Sequence, residues 1–407
     1  MSKKVHISTP FCQCSLRKLE AERLRKYFVF NGCELVDSPE SSDYHILVSC
    51  AVTKANIDNH LQYIKNVEQN KPELIVMGCL PGTNPEELIR VFSGKMVVTK
   101  DICDIDAIFP DFRIAFNETP QVYSYDIGAF HMFTEDVATY SDFQLLSKYG
   151  LSKTFLRKIY RKRQAKYFYN VNKNSNVYEP CFVKISSGCA NNCTYCNIRD
   201  AIGKIKSKSI ESVCSEYFDL LKMGYRNFHF IAEDLCSYGL DIRSSLGYLL
   251  NALSEVDTNY HVKWTLNGVN PNWLAQHYKA FAPLFSSKIW ELMIAVESGS
   301  DRLIGLMNRK YDIKEVENSL VDLRKINKGL KINALFILGF PTETEVDFQA
   351  TMNLIKKVKF DSVTLTDYSD FENRASAKIL PKVDAETVCE RRKRAEAVLK
   401  KLNIPLY

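Results

Sequence analysis

The chain has 407 residues, enough for roughly two to four domains. Hydrophobic residues make up 46% and charged residues 25%, which excludes a disordered or fibrous chain. Lys and Arg number 54 against 48 Asp and Glu, and the resulting +6 is too weak a bias to argue for nucleic acid by itself. No apolar run approaches the roughly 18 residues of a membrane helix, so no membrane partner is expected. The start MSKKVHISTPFCQ has no signal-like apolar core, and the chain is expected to stay in the cytosol. In that reducing compartment its 13 cysteines are first metal ligands or reactive thiols, not disulfides.

In chain order, residues 1–105 read as an α/β domain. Strands are expected over 4–8, 44–49 and 73–77, with helices near 16–31, 55–69 and 85–93. This pattern suits a doubly wound parallel sheet, whose C-terminal strand ends form one edge with a crevice outside it. Cys12, Cys50 and Cys79 each fall just past one of these strands, which brings three distant thiols to one rim. The plain alternative is three unrelated buried cysteines. Residues 106–180 form a linker or insertion, in which positions 151–170 hold seven Lys or Arg and no acid. That basic and aromatic stretch could grip phosphates and stack bases, bind an acidic peptide or leader, or be a solvated helix face.

From residue 181, CFVKISS alternates as a strand does and runs into GCANNCTYCNI. Cys189, Cys193 and Cys196 there have the spacing C-x3-C-x2-C. Three thiolates fill three corners of a four-iron cube and leave one iron open. Zinc would call for four protein ligands and paired knuckles, and no second knuckle follows. Strands are expected over 226–231, 260–266, 288–296, 331–338 and 362–366. Helices near 209–222, 243–254, 272–283, 312–326, 343–358 and 385–402 complete six βα units, which argues for a parallel, barrel-like sheet. Chemistry in such a sheet sits at the C-terminal strand ends, where Glu233, Asn267, Glu297 with Ser298, Gly339 and Tyr368 fall. The plain alternative for these residues is a structural hydrogen bond. In LGFPTETE, Thr342 is placed to cap the following helix, with Glu343 and Glu345 at its positive end.

Strand, three-cysteine loop and helix resemble the opening of the radical S-adenosylmethionine enzymes. FCQCSLRKLEAERL, VSCAVTKAN and MGCLP resemble the three cysteine motifs of the methylthiotransferase N-terminal domain. GCANNCTYCNI, IAEDLCSYG, VESGSDRLIGLMNRKY, LFILGFPTETEVDF and DYS follow the same family's radical domain in order. The resemblance covers most of 1–105 and 180–400. It implies a partial (β/α)6 TIM-like barrel over 181–384, closed by a helix in 385–407. It also implies S-adenosylmethionine and two 4Fe-4S clusters. One would sit on Cys189, Cys193 and Cys196, and the other on Cys12, Cys50 and Cys79.

By the same resemblance, a 5′-deoxyadenosyl radical takes hydrogen from a substrate carbon, which then receives sulfur or a methylthio group from the second cluster. Glu233 is the implied partner of the methionyl ammonium. Glu297 or Ser298 would reach the ribose or the carboxylate, and Tyr195 lies in the same cofactor pocket. A flavodoxin- or ferredoxin-type protein would supply the electron. Cys14 sits where the family does not normally carry cysteine, and it is a substitute ligand, a sulfur relay or a bystander. The best-known relatives continue into a β-rich TRAM module that binds RNA, whereas this sequence stops at Tyr407 just after a helix. A peptide, protein or small-molecule acceptor is therefore expected ahead of tRNA. Rival readings are a radical enzyme catalysing oxidation or crosslinking, and a nucleic-acid-binding protein with structural clusters.

Overall fold

The computed structural model describes residues 2–12, 14–67, 72–123 and 180–406; the basic stretch 151–170 lies outside the described residues. Two compact units emerge: Met1–Pro180 with Asp200–Ile202, and Cys181–Arg199 with Gly203–Tyr407.

In the first unit, β1 (Lys4–Ser8), β2 (Glu34–Leu35), β3 (Tyr44–Ser49), β4 (Glu73–Gly78) and β5 (Lys95–Val98) form a five-stranded sheet. The order is β2-β1-β3-β4-β5, and every pairing is parallel. Helices α1 (Ser15–Phe30) and α2 (Lys54–Val67) lie where the apolar spacing places them. β2 and β5 were not expected, because two and four residues are too few to display an alternation. The helix expected near 85–93 is shorter, Pro85–Ile89, and the one-turn helix Leu80–Thr83 precedes it. Each starts with a proline in its first turn, a position that needs no backbone N–H. Val5, Ile7, Ile46, Val48, Ile75 and Met77 pack against Leu24, Tyr27 and Phe28 of α1 to make the core. Successive strands are buried on both faces, so they read as apolar runs rather than alternations.

The second unit carries six parallel strands in sequential order: β6 (Cys181–Lys184), β9 (Asn227–Ile231), β10 (Lys263–Val269), β11 (Ile289–Glu297), β12 (Lys331–Leu338) and β13 (Ser362–Asp367). A small antiparallel pair, β7 (Ser186–Ser187) with β8 (Lys206–Ser207), ties together the two ends of the cysteine segment. Helices Ile210–Lys222, Leu246–Val256, Ile313–Ile326, Glu345–Val358 and Ala385–Lys401 connect or close the sheet. Ser209, Ser245, Asp312, Thr344 and Asp384 cap them by accepting backbone N–H groups.

Three expectations need correction here. The single helix near 272–283 is two, Pro271–His277 and Ala282–Ser287, the second with Pro283 in its first turn. β10 continues to Val269, so Asn267 lies inside the strand and not at its end. Thr344, not Thr342, caps the helix after LGFP, in a reciprocal capping box with Asp347. The Thr342 hydroxyl instead accepts from Arg302, and Glu343 pairs with Arg391 in the interior. Among the described residues, no helix is long and apolar enough to cross a membrane.

Candidate metal centres

Local geometry at the ends of β1, β3 and β4 assembles the first set of thiols. Gly78 ends β4 at φ +102, and a Cβ there would lie 2.4 Å from the Ser49 carbonyl oxygen. Only glycine permits that approach, and it lets the Cys79 amide donate to the same carbonyl at 3.1 Å. The Ser49 hydroxyl accepts from the Leu80 amide at 3.2 Å, so the residues carrying Cys50 and Cys79 are locked side by side. Phe11 holds the third loop with a left-handed φ of +57. Its carbonyl accepts from the Asn56 side chain at 2.8 Å, and its ring meets His60 and Tyr63 edge-on. Cys12, Cys50 and Cys79 are all buried.

Cys12 hydrogen-bonds to Cys50, which keeps the proton on Cys12 and draws Cys50 down to about 7. Burial pushes Cys79 up to about 12. Arg17, 2% exposed, is within electrostatic reach of Cys50 and Cys79, adding to the downward shift of the first and opposing the upward shift of the second. The expected rim of three thiols is therefore present, and a buried cation that the sequence reading did not single out stands with it.

In the second unit, Gly188 leaves β7 at φ +79, and a Cβ there would lie 2.1 Å from the Lys204 carbonyl oxygen. Its amide donates to Glu233 at 3.0 Å, so this carboxylate holds the start of the cysteine loop. The Cys189 sulfur accepts from the Asn191 amide at 3.3 Å and faces Asp234 at 3.9 Å. Asp234 in turn accepts from the Ser237 hydroxyl and the Asn191 side chain. The Thr194 amide donates to the Met307 carbonyl at 3.1 Å, and Asn308 reaches the Asn192 carbonyl at 2.7 Å. The loop is thus held from the turn that carries NRKY as well as from the strand ends.

Arg309 in that turn joins the cysteine loop to the end of β11. It reaches Cys193 at 3.8 Å, Tyr195 at 3.1 Å and the Ala295 carbonyl at 2.8 Å, and stands 3.6 Å from Glu297. Its Nε is buried and has no hydrogen-bond partner among the described residues. Tyr195 donates to Glu297 at 2.9 Å. Burial pushes the Glu297 carboxyl up, while Arg309 and Tyr195 pull it down without reversing the shift. Glu297 has φ +67, a strained conformation for a side chain of this size, as functional positions often show. Ser298 is wholly buried, and its hydroxyl accepts from the Ser300 amide at 3.2 Å. Of the sequence-derived contacts, Tyr195 and Glu297 meet directly, Glu233 braces the loop, and Ser298 shapes the turn after β11. Arg309 and Asp234 were missed although both lie in quoted motifs, because neither has a spacing partner.

Cys196 stands within electrostatic reach of both Cys189 and Cys193, and burial raises all three, Cys189 to about 11. Iron would reverse these shifts, since a bound thiol is a thiolate. Among the described residues, no three Cys, His, Asp or Glu side chains close on one point as tightly as a single ion needs. Each set supplies three cysteine donors, the number and kind that a four-iron cube with one open iron would take.

Comparison with known proteins agrees with both halves. Residues 183–355 match the radical SAM superfamily, and residues 4–99 match the uncharacterized protein family UPF0004. A tRNA-2-methylthio-N(6)-dimethylallyladenosine synthase of Fervidobacterium nodosum is 28% identical, covering 93% of this chain and 78% of that protein. A ribosomal protein uS12 methylthiotransferase of Thermotoga sp. (strain RQ2) is 26% identical, covering 93% and 79%. The chain belongs to the radical S-adenosylmethionine methylthiotransferase family. Membership makes it a sulfur-group transferase with S-adenosylmethionine and two 4Fe-4S clusters as cofactors. Among solved structures, the radical S-adenosylmethionine methyltransferase TsrM from Kitasatospora setae matches with a TM-score of 0.56 at 13% identity, covering 90% of this chain and 75% of that one. That likeness is one of fold.

Proposed function

We propose that this methylthiotransferase inserts sulfur, bare or methylated, into an unactivated C–H bond of a peptide, protein or small-molecule acceptor. The observation that carries the reading is that Cys12, Cys50 and Cys79 follow the C-terminal ends of β1, β3 and β4, and that Cys189, Cys193 and Cys196 share one loop after β6 and β7. Cys189, Cys193 and Cys196 hold the reducing cluster, and Cys12, Cys50 and Cys79 hold the sulfur-donating one. When bound, the reducing cluster and S-adenosylmethionine supply the radical chemistry, and the protein supplies position and exclusion of water. Glu233 fixes the start of the cysteine loop, while Tyr195, Glu297 and Arg309 set the polarity of the cofactor pocket beside Cys193. Arg309 offers its buried Nε to an anionic group such as the methionyl carboxylate.

A tRNA acceptor is the second reading, supported by the likeness to a tRNA methylthio synthase. The reconstituted protein is first assayed for 5′-deoxyadenosine under a strong reductant; its absence overturns the radical reading. An iron content near about eight per chain supports two clusters. Digested tRNA and the proteome and metabolites of the host are then compared by mass spectrometry with and without the intact protein. A methylthio or sulfur gain on a peptide, protein or metabolite supports the first reading, and one on a nucleoside the second. A loss of hydrogen or a crosslink without sulfur replaces both by a radical oxidase.

A further inference from the structure

In the second unit, a chain of side-chain hydrogen bonds crosses five neighbouring strands. The Ser362 hydroxyl (β13) donates to the Asn333 side-chain oxygen (β12) at 2.6 Å, and the Asn333 side-chain amide donates to Glu291 (β11) at 2.6 Å. From the other side, the Thr265 hydroxyl (β10) donates to the second Glu291 oxygen at 3.1 Å, and His229 Nε2 (β9) stands 3.4 Å from that hydroxyl. Thr265 has one proton and gives it to the carboxylate, so its oxygen is left to accept from His229. Donors therefore converge on Glu291 from both sides, which favours the ionised carboxylate.

No cation accompanies them. Among the described residues, Glu291 has no ion pair. Lys331, on the neighbouring strand, pairs with Asp361 at 3.2 Å, and Lys263 lies over the Trp290 ring at 4.3 Å. Burial lowers His229 to about 4, so at neutral pH it is uncharged. Burial also raises the Glu291 carboxyl, and Asn333 and Thr265 oppose the rise without reversing it. Bridging the strands does not require the charge, since an amide would span the same gap without the cost of burying an ion.

The face that carries Glu291 is also the open one. On β11, Leu292, Ile294 and Val296 are wholly buried, and helices pack against that strand. Glu291, Met293 and Ala295, which alternate with them, are only half-buried. Asn333, Leu335 and Ile337 of β12 follow the same rule. An apolar wall thus leads from the carboxylate towards Glu297 and the cysteine loop, the pairing of apolar lining and convergent polar groups that ligand sites show.

Building on the proposed sulfur insertion, we propose that this face is the acceptor trough and that Glu291 anchors an amine or guanidinium of an extended peptide acceptor. Glu297 lies six residues further along β11, roughly 20 Å at about 3.3 Å per residue. The cation and the carbon that gains sulfur are then separated by roughly four to six residues of extended chain. Met293, Leu335 and Ile337 take the apolar groups between them. A polyphosphate acceptor brings like charge to the carboxylate.

The probes are hexylguanidinium and its neutral isostere hexylurea, titrated calorimetrically into the full reconstituted chain without reductant. The expected affinity for hexylguanidinium is at least about tenfold above that for hexylurea, and the difference is lost in Glu291→Gln. Equal affinities in the parent, or a preference that survives in Glu291→Gln, overturn the proposal. If Glu291→Gln does not fold, Met293→Trp decides. It narrows the trough beside the carboxylate and should weaken hexylguanidinium at least about tenfold; unchanged binding overturns the proposal. The acceptor identified by mass spectrometry is the second arm. A peptide with an amine or guanidinium at the stated separation supports the proposal, and a nucleoside or an acceptor without a cation overturns it. Selective binding in a chain that transfers sulfur to nothing keeps the cation site and overturns sulfur insertion alone.

Discussion

The Tyr195 hydroxyl donates to a Glu297 carboxylate oxygen at 2.9 Å, joining the cysteine loop to the end of β11 across 102 residues of sequence. Arg309 touches both partners, so a phenol, a carboxylate and a guanidinium share one buried polar centre next to Cys193. Removing the phenol's donor leaves the carboxylate less satisfied in a dry site, at a cost of about 1–3 kcal/mol. Tyr195→Phe is expected to keep its full iron content and to weaken S-adenosylmethionine binding by roughly 5- to 100-fold. Equilibrium binding of S-adenosylmethionine with iron analysis on the same sample checks this. Unchanged affinity would place the triad outside the cofactor pocket.

Gly188 is required twice, by its φ of +79 and by the Lys204 carbonyl that a Cβ would strike. Gly188→Ala must move the strand that leads into the cysteine loop, and with it the amide that Glu233 holds. The variant should retain about half the iron of the parent, since the cluster proposed on Cys12, Cys50 and Cys79 would be spared. Production of 5′-deoxyadenosine should be abolished. Full iron with full activity would show that the loop tolerates the shift.

Phe11 combines a cost and a gain. Its left-handed backbone costs about 1–2 kcal/mol in a residue with a Cβ, while its ring packs on His60 and Tyr63 with centroids 5.3 and 6.3 Å away. Phe11→Ala loses the ring and keeps the strain, whereas Phe11→Gly loses the ring and relieves it. Both should be less stable than the parent or close to it, with Gly above Ala by about 1 kcal/mol. Denaturant midpoints of the apo chain give the order, and an Ala variant as stable as Gly would mean that the backbone relaxes out of the left-handed region.

His45 and His60 are buried in the first unit, and burial lowers them from 6.5 to about 3 and about 4. Unfolded, each binds a proton as pH falls through 6.5; folded, neither does until well below 5. The unfolded state therefore holds more protons in this window, and the stability these residues contribute is lost as pH falls from 6.5 towards 4. Each should add a slope of up to about 1.4 kcal/mol per pH unit. Hydrogen exchange of β1 and β3 amides, corrected for intrinsic rates, should show protection falling from pH 7 to pH 5. His45→Gln should flatten that fall by about one proton, and an unchanged slope would mean that His45 is not the titrating group.

The cysteine loop at 189–196 was legible because its three cysteines lie on one short stretch, where spacing alone limits which atoms can meet. The longer strands of both sheets were legible for a related reason, since apolar runs and alternations follow from local burial, whereas the short β2 and β5 were not. Even the distant set, Cys12, Cys50 and Cys79, followed from sequence once parallel strands were placed, since all parallel strands end on one edge. Tertiary structure alone decided what surrounds these thiols. Arg17 reads as an ordinary surface residue of α1 until Thr99, 82 residues away, closes over it. Arg309 reaches Cys193 across 116 residues, and Glu233 finds the Gly188 amide across 45. Spacing encodes contacts within a loop or a turn. Contacts between loops depend on strand order, register and the side of each turn, and these exist only when the whole sheet has folded.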